Sequence, residues 1–300
     1  MLKKIDFIHS LVFFNFCIFL SSFSFIKNQN YLLVCLFLIL SIGISHGSLD
    51  NLKGKKLLKI FKIKKIEKFY FSYICLSIFI IISWIIMPNF LLTIFLLIAS
   101  YHFGKEDTIF KSNIKGPKKD FLFLLKGSSI IISPLLFNYD KTNNIFLMLK
   151  FNLFSEFVIS KEILFILLFI SFISGIYLSK SKNIDYNTIS IMDFSSIVLL
   201  NYFLNPILAF TIYFCFLHSI RHSLTLIFEL DKKFKAGLLK FVKKALPLTF
   251  ITALIFLISI YSLNSFFELN NAIYKVIFIG LASLTFPHIL LEYLIEKNEK

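Results

Sequence analysis

Five of the six histidines in this chain stand in short polar or turn-forming stretches set into otherwise apolar sequence. His46 lies in Ile44-Ser45-His46-Gly47-Ser48-Leu49-Asp50, and His102 in Tyr101-His102-Phe103-Gly104-Lys105-Glu106-Asp107. His218 and His222 share Phe216-Leu217-His218-Ser219-Ile220-Arg221-His222, and His288 closes Thr285-Phe286-Pro287-His288. The third stretch also holds the only arginine of the chain. Imidazole is the commonest protein ligand for iron, copper and zinc, and polar groups embedded in apolar segments are costly and mark functional sites. Metal chemistry is therefore the first expectation, on condition that four separated stretches meet.

His218 and His222 are four apart, which on a helix projects both from one face one turn apart, where two imidazoles can reach one ion. Taken alone, the pair fits two core histidines equally well. Arg221 between them must face a bundle interior and find an acid or a carbonyl; Asp193, Asp107 and Glu292 are candidates. A guanidinium donates only, so Arg221 is expected to fix the helix, not to ligate a cation. Asp50 follows His46 and Asp107 follows His102, and each is placed to accept the non-ligating N–H of an imidazole. A helix cap with its acid in solvent is the plainer reading of both stretches. Gly47 is expected to allow a close backbone approach. His288 follows Pro287 and precedes Glu292 by one turn, so it reads either as a ligand or as a pocket residue. His9 stands alone and reads as interfacial.

The elements that carry these residues follow from composition. The chain has 300 residues, 57% of them apolar and only 16% charged, with a mean hydropathy of +0.81. A soluble domain is nearer 45–50% apolar and about a quarter charged. The class expected is all-α: a polytopic integral-membrane helical bundle, residues 1–300 forming a single transmembrane domain. The net charge of +15 comes almost wholly from lysine. Those lysines sit between apolar runs, where membrane topology explains them better than nucleic-acid binding. Cys17, Cys35, Cys75 and Cys215 are scattered singly without C-x-x-C spacing, which speaks against disulfides and thiolate metal ligation. Lys3 and Lys4 precede an apolar run with no small-residue cleavage site, so the first run reads as a retained span.

A membrane helix needs about 20 mostly apolar residues. On that rule about ten spans (eight to ten) are expected, near 7–26, 31–46, 69–87, 90–104, 121–138, 161–179, 190–204, 206–228, 247–265 and 272–294. The stretch 144–158 is apolar but interrupted by Lys150, Asn152 and Glu156, and suits the interface. Cytoplasmic loops carry the lysine excess. Lys53, Lys55, Lys56, Lys59, Lys62, Lys64, Lys65 and Lys68 follow the second span; Lys105, Lys111, Lys115, Lys118 and Lys119 the fourth; Lys180 and Lys182 the sixth. Lys232, Lys233, Lys235, Lys240, Lys243 and Lys244 follow the eighth. The alternate loops hold only Lys27, Lys141 and Lys150. Both termini are then cytoplasmic. At 1.5 Å per residue, His46, His102, His218, His222 and His288 all fall within roughly 15 Å of that same boundary.

Neutral imidazoles on Fe(II) would leave positions for O2 and suit oxygen activation beside an apolar substrate. Zinc proteolysis fits poorly, because its H-E-x-x-H helix supplies a general base and His218-Ser219-Ile220-Arg221-His222 has no Glu. Membrane di-iron desaturases cluster more histidines than the six present here.

The ordered set G-I-S-H-G-S-L-D, Y-H-F-G-K-E-D, F-x-x-x-H-S-x-R-H and L-T-F-P-H resembles the Brp/Blh family of membrane β-carotene 15,15′-dioxygenases, over about residues 40 to 292. The resemblance implies a non-haem Fe(2+) enzyme that splits the central double bond of β-carotene with O2 to give two molecules of all-trans-retinal. The family's iron-binding histidines match His46, His102, His218 and His222; the reading of the residues themselves adds His288 as a further ligand or pocket residue and Asp50, Asp107, Arg221 and Glu292 as supporting groups. It also implies a multi-pass protein of the plasma (inner) membrane of a bacterium or archaeon, with lipid around it and a rhodopsin as user of the retinal. Ser45 and Ser48 depart from the proline and alanine usual in the family. The fifth span has Lys126-Gly127 and Ser133-Pro134 where more prolines and a histidine are usual. The rival class is non-enzymatic: a carotenoid or haem carrier, or a transporter using its histidines for protons. A transporter would more often show repeated halves with broken helices, and no convincing repeat is visible.

Overall fold

Hydrophobic runs of this length must satisfy every backbone N–H and C=O internally when they lie in lipid, and helices are the way an open chain does so. The computed structural model describes residues 2–22, 31–108, 114, 116–153, 159–179 and 184–298. Among these residues the ordered elements are all helical. In chain order they are α1 (Leu2–Ser21), α2 (Leu32–Ser41), a 3₁₀ helix (Gly43–Leu49), α3 (Asp50–Ile60), α4 (Glu67–Ile86) and α5 (Pro88–Glu106). Then come α6 (Pro117–Gly127), α7 (Ser129–Phe137), α8 (Tyr139–Met148), α9 (Lys161–Ser179) and α10 (Ile184–Phe203). The last part holds α11 (Pro206–Ile212), a π-helix (Tyr213–Ser219), α12 (Ile220–Leu230), α13 (Phe234–Leu263) and α14 (Leu269–Asn298).

Eight helical segments among the described residues are long and apolar enough to cross a membrane. The fourth and seventh expected spans are α5 and α10, of 19 and 20 residues. They have the length but are less apolar, because α5 carries Tyr101, His102, Lys105 and Glu106 and α10 carries Asp193 and several serines. The architecture is a polytopic helical membrane bundle.

Several boundaries differ from expectation. The lysine-rich loop expected after the second span begins as helix: Lys53, Lys55, Lys56 and Lys59 lie on α3. Gly43, Ser45, Gly47 and Ser48 are weak helix formers, and they mark where α2 gives way to the tighter 3₁₀ turn. The ninth span starts at Phe234 rather than 247, with Pro247 inside α13. Lysine stems can run along such a helix end while their heads reach water. The fifth span is divided at Ser128 into α6 and α7. The expected interfacial stretch contains the end of α8, and its residues 154–158 lie outside the described ones, as do Lys27, Lys111, Lys115, Lys180 and Lys182.

The main core is a continuous apolar cluster in which Cys35, Ile39, Leu92, Ala209, Leu217, Ile277 and Ala282 have essentially no exposed surface. Phe71, Ile85, Ile86, Leu239 and Tyr261 are mostly exposed, as expected of faces turned to lipid. Cys17, Cys35 and Cys215 are buried free thiols, while Cys75 is on the outer face.

One crossing sets the depth of the site. Helices α5 and α6 touch backbone to backbone at Gly104 and Gly127. A Cβ on Gly104 would stand 1.9 Å from the Phe123 carbonyl oxygen, and one on Gly127 would stand 1.8 Å from that of Ser100. Only glycine permits this approach. His102, between Ser100 and Gly104, is held by it at a fixed height in the bundle.

Candidate metal centre

Two acids end α5, and each takes a different imidazole. The Nδ1 of His218 lies 3.1 Å from Oδ1 of Asp107, and the Nδ1 of His222 lies 3.3 Å from Oε2 of Glu106. A third pair crosses the bundle: Nδ1 of His288 is 2.9 Å from both oxygens of Asp50. His102 stands among them, its ring centre 5.3 Å from that of His218 and 5.4 Å from that of His288. His222 and His288 are 6.1 Å apart on the same measure. His102, His218 and His288 are buried, and the His222 side chain is 10% exposed.

The acids are themselves held. The Tyr213 hydroxyl donates to Oδ2 of Asp107 at 2.5 Å, and the Tyr73 hydroxyl donates to Oδ2 of Asp50 at 2.9 Å. The same Tyr73 hydroxyl lies 3.2 Å from the Leu284 carbonyl oxygen, so Asp50 is the nearer acceptor. Lys53 donates to Glu292 at 2.5 Å, and Glu292 lies 3.6 Å from Nε2 of His288. Lys126 Nζ closes the end of α5 by donating to the Asp107 carbonyl oxygen at 2.9 Å and the Thr108 hydroxyl at 2.8 Å.

The helix that carries His218 changes type at the site. Tyr213–Ser219 is π-helical and Ile220–Leu230 is α-helical, so the His218–His222 pair straddles a junction and is not one turn of a uniform helix. Such wide turns concentrate at functional sites. Ser219 donates to the Gly43 carbonyl oxygen at 3.1 Å, which ties this junction to the 3₁₀ helix. His46 belongs to that 3₁₀ helix, but its side chain lies outside the described residues. Among the described residues no close approach is seen at Gly47, where a Cβ would meet nothing within 4 Å. Gly104 supplies one instead.

Arg221 is buried and takes an acid other than the three that brace the imidazoles. It pairs with both oxygens of Asp193, at 2.7 and 3.0 Å, and donates to the Ser10 hydroxyl at 2.7 Å. Of the three acids considered for it, Asp193 is the partner, so Arg221 joins α12 to α10 and α1. His9 is half-buried and not alone, its Nε2 lying 2.9 Å from the Phe216 carbonyl oxygen.

In the sequence Tyr73, Tyr213 and Glu106 carry no site role, and Lys53 is marked only as a topology lysine and Lys126 only as a departure from the family pattern. Glu106 sat inside the quoted Y-H-F-G-K-E-D stretch beside Asp107 and was the one with a visible signal. The two tyrosines had none, because their partners are 23 and 106 positions away.

The donor set suits a metal ion. Where Nδ1 is committed to a carboxylate, Nε2 is the nitrogen an imidazole gives to a metal. His102, His288 and Glu292 offer three ligand atoms all within 4.8 Å of one another. Metal–nitrogen bonds of about 2.1 Å bring donors to within roughly 4 Å, so these atoms are already near the spacing that one ion imposes.

Fold and site together define a polytopic membrane protein with a buried, carboxylate-braced histidine cluster. The chain belongs to the β-carotene 15,15′-dioxygenase family, whose model matches residues 37–296. A β-carotene 15,15′-dioxygenase from uncultured marine bacterium 66A03 is 28% identical over 266 residues, which cover 85% of this chain and 90% of that protein. No solved structure matches.

Proposed function

We propose that this protein cleaves β-carotene at its central 15,15′ double bond with O2, yielding two molecules of all-trans-retinal, at a non-haem Fe(II) centre. The observation that supports the reading is the run of neighbouring imidazole rings from His218 through His102 and His288 to His222, three of the four braced by acids, in a chain of this family. His46 completes the proposed ligand set with His102, His218 and His222. His288 and Glu292 serve as a further ligand and its neighbour. When bound, Fe(II) supplies the centre at which O2 is activated.

The protein's own groups do the rest. Asp107, Glu106 and Asp50 keep a proton on Nδ1 of His218, His222 and His288, which fixes the tautomer and turns Nε2 inward. All the described site imidazoles are buried or nearly so, and this keeps bulk water from the reacting carbons. Aromatic rings lead away from the cluster: Phe214 stacks on His218 at 5.9 Å, Phe210 on Phe214 at 5.6 Å, and Phe278 on Phe210 at 5.9 Å. Phe286, two positions before His288, stacks on Phe95 at 6.4 Å. Flat apolar rings of this kind suit a polyene that enters from lipid. Phe216 instead packs on Phe16. Holding the midpoint of the polyene at the centre is a positioning effect that can supply several kcal/mol.

The reading places the chain in the plasma membrane of a bacterium or archaeon, and its product would serve as the chromophore of a rhodopsin. Expression in cells that accumulate β-carotene should bleach their colour and give retinal on chromatography. Folded, iron-loaded protein that yields no retinal overturns the proposal. A haem-type visible spectrum from the purified protein would favour a carrier.

A further inference from the structure

We infer that Tyr213 and Tyr73 are positioning residues that aim two of the imidazoles, acting through Asp107 and Asp50. The inference rests on the metal-centre reading above and extends it outward by one layer. A carboxylate buried beside an imidazole still turns about its own axis, and the direction of the imidazole N–H turns with it. A second donor on the outer oxygen removes that freedom. Asp107 has one: Oδ1 faces His218 and Oδ2 accepts from Tyr213. Asp50 is held in a related way: both of its oxygens face His288 Nδ1, and Oδ2 also accepts from Tyr73, which fixes the carboxylate's rotation from outside the pair.

The same tyrosine–aspartate–histidine unit is thus made twice, from unrelated local structure. In the first, tyrosine and histidine share the π-helix and the acid comes from the end of α5. In the second, tyrosine comes from α4, the acid from the start of α3 and the histidine from α14. No single helix geometry accounts for both. What they share is the output, an imidazole whose Nδ1 is pinned and whose Nε2 direction is set. Asp107, Asp50, His218, His288 and Tyr213 are buried and Tyr73 is half-buried, so water donors compete little at the first unit and more at the second. Neither tyrosine needs to touch the metal or the substrate for this role.

The test uses the purified full-length protein and its variants Tyr213→Phe, Tyr73→Phe and the double variant. Each keeps the ring and its packing and removes only the hydroxyl. Fe(II) affinity is measured by chelator competition, and ligand geometry is read from the visible bands of the Co(II)-loaded protein. Loss of such an outer partner typically costs about 10- to 100-fold in metal affinity. Each single variant is expected to show a weakening of that order, with altered Co(II) bands and an unfolding temperature lowered by no more than the loss of one buried hydrogen bond explains. Tyr213→Phe in an Asp107→Asn background should add little, because both act on one chain of contacts. Wild-type affinity and wild-type bands in both single variants overturn the inference. So does a loss that only follows reduced folding and adds fully to Asp107→Asn. Failure of the wild-type protein to bind either Fe(II) or Co(II) overturns the metal-centre reading instead.

Discussion

Tyr213 and His218, five positions apart on one helix, bond to the two oxygens of a single carboxylate, that of Asp107. In an α-helix, residues five apart point about 140° away from each other. The π-turn between Tyr213 and Ser219, with its i→i+5 bonding, brings them towards one face, and their rings lie 6.5 Å apart at 30°. One added residue in the turn therefore converts a helix side into a grip on an acid.

Asp107 should matter more than Glu106. Its bond to His218 is shorter than that of Glu106 to His222, and its side chain is 9% exposed against 21%. Asp107→Asn is expected to weaken iron retention about 10- to 100-fold, and Glu106→Gln by less. His218→Ala should remove both iron and retinal formation. Metal analysis beside product chromatography checks all three, and a larger effect of Glu106→Gln contradicts the ranking.

Arg221 should govern folding more than turnover. Removing one partner of a buried ion pair leaves the other charge uncompensated, at a cost of about 3–5 kcal/mol. Arg221→Ala and Asp193→Ala should both lower the yield of folded, detergent-stable protein. Whatever folded fraction remains should retain its iron. Folded variants with normal thermal stability would show that the pair does not hold α10 and α12 together.

Gly104→Ala should be poorly tolerated although the change adds one methyl group. Its Cβ would overlap the Phe123 carbonyl oxygen, so α5 must move from α6 and carry His102, Glu106 and Asp107 with it. Overpacking of this kind costs about 1–3 kcal/mol or more. A lower unfolding temperature together with weakened metal binding is the expected result. Gly47→Ala, where a Cβ meets nothing within 4 Å, should leave stability unchanged.

The lysine distribution makes a claim about sidedness. With Lys232, Lys233, Lys235, Lys240, Lys243 and Lys244 near one boundary, the C-terminus is expected in the cytoplasm. A fluorescent protein fused after Lys300 should be bright, and alkaline phosphatase fused there should be inactive. The reverse pattern would invert the topology.

What could be read without coordinates was whatever depends on local order along the chain. Runs of apolar residues require helices in lipid, and their spacing predicts the bundle. The motifs marked His102, His218, His222 and His288, and they flagged Asp50, Asp107 and Arg221 as their companions. Partner choice was not legible. Asp50 stands four residues from His46 yet holds His288, which is 238 positions away. Arg221 had three eligible acids and takes Asp193. Tyr73 and Tyr213 looked like any aromatic residue of an apolar helix. Such pairings are settled by how helices rotate and cross, and by where a 3₁₀ or π turn shifts the register, and these are properties of the packed bundle that no short stretch of sequence contains.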